Sequence, residues 1–441
     1  MRRVSTSAIL YLPGFLFLLL FFNGCSLEKE SAVNRGLQNL TAHYNILYNA
    51  NELLRQKQEI YAIGYPDNYD ELLSLYQDTA RHGGSGGDKE LDAVIAKANT
   101  IINIKEQSHY IGDAYLLLGK ANHLYGNYFN AVEFFKYVIL SFPQKAELKQ
   151  EARVWEIRSL LYLGELAEAK PLLDSAIQNI NPKKHITADV YATATQYYIN
   201  AREYADAEQA AIQAVKYAYS KKQRLRWTFI LAQLQELNKE PGDASRNYTR
   251  VVKSNAPFEM AFNANLNRIR LEDNDQGQGL GRMERLRRLL RDEKNNDFTD
   301  QIYYQMALLY MAGNDIDNAI KNLQLSVRYS TKNQNQKGLS YLRLADISFK
   351  NKADYTAARK YYDSTLRNLS PAYPDYALIQ KKSNNLQILA DRLQIIAGED
   401  TLQMLAMLDE NARNVKIDEL VNSHMRQAAV QQSAAATTLT D

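Results

Sequence analysis

The stretch from Asp113 to Pro143, DAYLLLGKANHLYGNYFNAVEFFKYVILSFP, holds two apolar segments of helical length with a single break at Gly126. Gly119 and Ala131 are small, so two antiparallel helices can approach closely there. Tyr128 and Phe135 are bulky and fall where the space between neighbouring helix pairs must be filled. Pro143 stops the second helix, because it lacks a backbone donor and clashes with the preceding turn.

The same frame returns along the chain. The turn and its small residue recur as GELAEA ending at Ala169, EYADA at Ala207, PGDA at Ala244, DIDNA at Ala319 and ADYTAA at Ala358. From Ala131 the steps are 38, 38, 37, 75 and 39 residues. The step of 75 is two periods, so a degenerate repeat lies between residues 257 and 297, where the turn reads EDNDQGQGLGRME. Tyr115, Leu118, Gly119, Gly126, Tyr128, Ala131, Phe135 and Pro143 occupy the places that a tetratricopeptide repeat assigns to these residue types. About seven such repeats predict an all-α protein, a right-handed superhelical solenoid whose units each contact their neighbours.

Outward from the repeats, the boundaries follow. Residues 1–24 read as a lipoprotein signal peptide: Arg2 and Arg3, an apolar run from Ala8 to Phe22, and FFNGC closing on Cys25. Cys25 is the only cysteine of the 441 residues, and FFNGC resembles a lipobox, so Cys25 is the expected lipidation site. Residues 25–107 form an N-terminal helical region: a long helix over 33–60, another beginning in DNYDELLSLYQ (Asp67 to Gln77), the flexible loop HGGSGGD, and a helix over 88–106. The repeats fill 108–373, helices follow over 374–428, and 429–441 is a low-complexity tail expected to be disordered.

The bulk chemistry narrows the function. The formal charge of +3 includes Arg2 and Arg3, so the processed chain carries about +1, too neutral for a nucleic-acid binder. With one cysteine there is no disulfide framework and no thiolate metal site. None of the six histidines has metal-ligand spacing. Asp273, Asp275 and Glu284 fall at three positions of a calcium loop, but Gln278 stands where glycine is required, so no calcium is expected. HGGSGGD lacks the Lys-Ser/Thr ending of a phosphate loop, and GQGLG (Gly277 to Gly281) follows no strand. No catalytic residues, cofactor or small-molecule substrate are expected, and protein partners are.

The candidate partner-binding residues are those of the first helix of each repeat that point inward: Leu116, Lys120, Arg158, Gln196, Phe229, Gln233 and Tyr304. An alternative docking face is the basic run Arg282, Arg285, Arg287, Arg288 and Arg291, with Arg285 and Arg288 at its centre. Lys221, Lys222, Arg224 and Arg226 form an earlier basic group.

Three segments outside the repeats carry a resemblance. NRGLQNLTAHYNILYNANELL (Asn34 to Leu54), DNYDELLSLY (Asp67 to Tyr76) and DTLQMLAMLDENARN (Asp400 to Asn414) resemble, in order, the SprE/PorW lipoproteins of the type IX secretion and gliding-motility machinery. That family shows Gly where Ala50 stands and continues well beyond the third segment. The resemblance implies a non-catalytic lipoprotein, anchored in the outer membrane and facing the periplasm, that docks on the ring components of the secretion machinery. An outer-membrane assembly lipoprotein or a SusD-like nutrient-capture lipoprotein is the rival. The second relies on exposed tryptophans, and this chain has only Trp155 and Trp227, both inside the repeats.

Overall fold

The computed structural model describes residues 31–65, 67–78, 87–271, 279–371, 373 and 375–437. The leader with Cys25, most of the glycine-rich loop, and the turn that holds Asp273 and Asp275 lie outside them. Among the described residues there is no β-strand, and no helix is long and apolar enough to cross a membrane. The chain divides after Glu272 into two compact units.

The first unit opens with α1 (Ala32–Thr41), capped by the Ser31 hydroxyl, which accepts the Asn34 N–H. One π-helical turn (Ala42–Leu47) joins it to α2 (Tyr48–Gly64). The helix expected over 33–60 therefore forms, with a wider turn wound into its middle that keeps Ala42, Leu47 and Ala50 in the core. There follow α3 (Lys89–Ile104), α4 (Ile111–Tyr125), α5 (Tyr128–Ser141), α6 (Ala146–Leu163) and α7 (Leu166–Gln178). Next are α8 (Lys184–Ala201), α9 (Tyr204–Tyr217), α10 (Lys221–Leu237), α11 (Pro241–Val252) and α12 (Phe258–Leu271). From α4 onward each helix packs on the next, and α6 also touches α4 and α8, so first helices of successive pairs stack.

The second unit holds α13 (Gly279–Arg291), a 3-10 segment (Glu293–Phe298), α14 (Thr299–Ala312), α15 (Ile316–Tyr329), α16 (Gln334–Lys350) and α17 (Tyr355–Asn368). Two long helices end it, α18 (Tyr376–Met407) and α19 (Glu410–Thr437). Neighbours again pack in order, and α14 touches α16. Helix α19 runs on through 429 to Thr437, into the alanine-rich segment that holds neither glycine nor proline.

The register predicted from the alanines is the register observed. Ala131, Ala169, Ala207, Ala244, Ala319 and Ala358 are all fully buried. Gly119 shows how close the helices come: a Cβ there would lie 2.4 Å from the Phe135 ring. Each of these pairs also turns the same way. Gly126, Gly164, Arg202, Lys239, Asn314 and Ala353 all have positive φ, and each stands five positions before its buried alanine. After the first five, the next residue's N–H bonds a carbonyl five positions back, as in Glu165 to Leu160 and Glu203 to Tyr198. This is the Schellman closure, which satisfies carbonyls the helix end leaves open.

Candidate functional site

One expected helix does not form. Asp67 to Gln77 is an irregular, extended strap between α2 and α3. Its apolar spacing fits a helix, but its partners lie far along the chain, on the first helices of the repeats. Leu73 and Leu75 are buried in the core built by α8 to α12, with Trp227, Phe229 and Ala192. Tyr69 meets the Phe229 ring edge-on at 5.3 Å.

The polar contacts read the strap's backbone. The Gln233 side chain accepts the Leu73 N–H at 3.1 Å and donates to the Glu71 carbonyl at 2.7 Å. The Gln196 oxygen accepts the Leu75 N–H at 2.9 Å and the Ser74 hydroxyl at 3.0 Å. Arg226 donates through Nε and Nη2 to the Ser74 carbonyl, at 2.9 and 2.6 Å. An extended segment has no ladder of its own, so these side chains replace the hydrogen bonds that its buried backbone requires.

A carboxylate holds each end of the strap. Arg226 grips Asp67 through two bonds of 2.7 and 2.8 Å, and both side chains are almost fully buried. Eleven positions later, Asp78 bonds the Arg158 guanidinium and accepts from the Tyr162 hydroxyl at 3.0 Å. Arg158 is sandwiched between the rings of Tyr76, 3.8 Å away, and Trp155, 3.7 Å away. Burial alone would raise the Asp78 carboxyl. The neighbouring Arg158 charge overrides it and holds the group well below the usual carboxylate range. His123 is fully enclosed beneath this pair: Nδ1 is 2.8 Å from the Ser159 hydroxyl and Nε2 is 3.7 Å from Asp78. Burial lowers its pKa, with Asp78 working in the opposite direction.

Lys120, Arg158, Gln196 and Gln233 occupy one position in four successive repeats, each eleven residues before the buried alanine. Leu308 and Ile347 stand at that position in the second unit, so the polar row belongs to the first. Lys120, the first of the row, pairs with Glu151 at 2.6 Å beside a cleft of about 500 Å³ that the strap leaves open. Asp189 also lines this cleft, and burial pushes its carboxyl up to about 7 against the pull of Arg158. A second cleft, of about 190 Å³, lies beside Ser74 and Tyr76.

The expected binding residues thus separate. Arg158, Gln196, Phe229 and Gln233 do face one groove, but the chain's own strap covers them. Leu116 and Tyr304 are corrections. Leu116 is buried with Phe135 and Trp155, and Tyr304 is buried in the core of the second unit, its hydroxyl 3.3 Å from Arg343 Nε. Both belong to helix packing and present no surface to a partner. Arg288 is exposed beside Glu284, 3.6 Å away, and Arg285 is half-buried on the same helix. Asp67, Tyr69, Tyr76 and Asp78 were not among the expected site residues, and Arg226 stood only within the earlier basic group. The signals for them are the turn-forming run Pro66-Asp67-Asn68, which argues against a helix start, and the periodic polar row, which needs a polar occupant.

No family model matches the chain, and no curated protein matches it by sequence. Among solved structures, the chain is similar to pilF of Pseudomonas aeruginosa at 16% identity and a TM-score of 0.33, covering 62% of this chain and 97% of that one. It is also similar to a chain of the APC/C hetero-tetramer Cut9–Hcn1 at 14% identity and a TM-score of 0.35. That match covers 82% of this chain and 60% of its counterpart.

Proposed function

We propose that this chain is a non-catalytic scaffold whose first unit grips extended polypeptide, and that it serves as an adaptor lipoprotein of the type IX secretion machinery. The observation that carries the scaffold reading is the polar row of the first unit. Three of its four members, Arg158, Gln196 and Gln233, bond an extended segment, two of them through its backbone. Side chains that satisfy backbone groups recognise extended conformation, which is how a helical groove holds a peptide. The place in the envelope rests on the resemblance of Asn34 to Leu54, Asp67 to Tyr76 and Asp400 to Asn414, and on the lipobox-like FFNGC. Acylation of Cys25 would tether the protein stably to the outer membrane.

The test is co-purification from detergent-solubilised envelope, run beside a deletion strain. The reading expects secretion-ring subunits with the intact protein, loss of cargo export on deletion, and loss of palmitate labelling in Cys25→Ser. Normal export in the deletion strain, with no secretion component retained, would refute the assignment.

A further inference from the structure

The strap is an occupant of the groove that it covers. We propose that residues 67–78 are an intramolecular ligand, and that the groove's partner in trans is an extended protein segment of the same chemistry. That segment carries a carboxylate for Arg226, an aromatic residue for Phe229, two alternating apolar residues, and a second carboxylate for Arg158. The proposal rests on the scaffold reading above and adds the class of partner and the device that competes with it.

Four observations carry it. The strap makes no helix or strand and has only short-range bonds of its own, such as Glu71 N–H to the Asn68 carbonyl, so its backbone order depends largely on the groove, and the entropy of ordering it offsets much of what the contacts contribute. Its anchors lie 80 to 159 positions away in sequence, which is the relation of a bound segment to a receptor. Gln196, Gln233 and Arg226 bond its main chain, and another chain in the same conformation offers those same groups. Finally, the strap leaves clefts of about 190 and 500 Å³ along itself, so an incoming segment has room to start pairing before the strap has left.

The cationic ends decide the sign of the partner. Arg226 and Arg158 are buried beneath the strap, and a segment that takes its place buries them again, so it must bring carboxylates of its own. A neutral or basic segment would leave both charges unpaired.

A labelled peptide with the strap sequence YPDNYDELLSLYQD is the probe, titrated by fluorescence anisotropy into the full-length protein. Wild type is compared with a strap-release variant, Asp67→Ala with Asp78→Asn, which leaves every groove residue in place. Occupancy in cis lowers apparent affinity by the fraction of open groove, so release should tighten peptide binding by about ten-fold or more. Adding Arg226→Ala or Gln233→Ala to the release variant should abolish that gain, and a peptide with the counterparts of Asp67 and Asp78 changed to asparagine should bind poorly. Equal binding to wild type and release variant, no binding to either, or loss of the release variant's cooperative melting would overturn the proposal. A concentration-dependent dimer of the release variant would make a second copy the occupant and overturn the partner assignment. The secretion-adaptor assignment is judged separately: it fails if export is normal in the deletion strain and no secretion component is retained, whatever the peptide does.

Discussion

Asp67→Ala isolates what holds the strap. The pair it breaks is nearly dry, with side-chain exposures of 10% for Asp67 and 5% for Arg226. Removing one partner of such a pair ordinarily costs ~3–5 kcal/mol, because the other charge stays buried without its counterion. Arg226 keeps its two bonds to the Ser74 carbonyl, which places the cost near the lower end. The penalty also has a ceiling. Once the strap lifts, Arg226 meets water and its burden disappears, so the whole molecule loses no more than the free energy of lifting the strap. The expected result is strap opening made easier by ~3 kcal/mol, or about a hundred-fold, with a smaller loss of global stability. Native-state hydrogen exchange resolves the two. The Leu73 and Leu75 amides, held by Gln233 and Gln196, should exchange far faster in the variant, while amides from Phe229 to Leu234 in the buried stretch of α10 should keep their rates. Unchanged exchange at Leu73 and Leu75 would show that the pair does not hold the strap. Equal acceleration in strap and helix would show that the strap does not open on its own.

Two more outcomes follow from the helix pairs. Arg202 is exposed and sits at φ 61, a left-handed conformation that costs an L-residue ~1–2 kcal/mol, so Arg202→Gly should stabilise the protein by ~0.5–1 kcal/mol after glycine's extra chain entropy. An unchanged or lower melting temperature would refute the strain. Burial pushes the Glu156 carboxyl up to about 7 from its ordinary 4.5, against the attraction of Arg153. The folded state then keeps a proton that the unfolded state has lost, so stability falls as pH rises from 4.5 through 7, and Glu156→Gln should remove that slope. Melting temperatures at pH 5 and pH 8 for both proteins check it, and parallel curves would count against it.

The helix pairs were legible because their register depends on residues near in sequence. A methyl-sized residue at Ala131, Ala169 or Ala207 is demanded by the helix beside it, and the period repeats the demand. The inward row was legible for the same reason: Arg158, Gln196 and Gln233 fall one period apart. What covers them was not. DELLSLYQ has helical apolar spacing, and its local propensity argues for a helix. Contacts with Arg226, Gln233, Gln196 and Arg158 outweigh that propensity, and none of those residues lies within 75 positions of the strap. Leu116 and Tyr304 failed as surface residues because their helix face turns into the neighbouring helix pair, which the repeat pattern alone does not separate from the open groove.

The strap also sets an order of events during folding. Helix pairs such as α4 with α5 close over neighbouring residues, and local contacts of that kind form early and fast. The strap leaves the ribosome before every residue that receives it, and its grip on Gln233 bridges 160 positions. Until α10 has formed, Leu72, Leu73, Leu75 and Tyr76 have no pocket, and the emerging chain carries an apolar segment with nowhere to go. From the sequence separation of its contacts, docking of the strap is expected to follow closure of the helix pairs that receive it. The interval before that docking is when a chaperone, or a neighbouring copy's groove, has its best opportunity to take the strap instead.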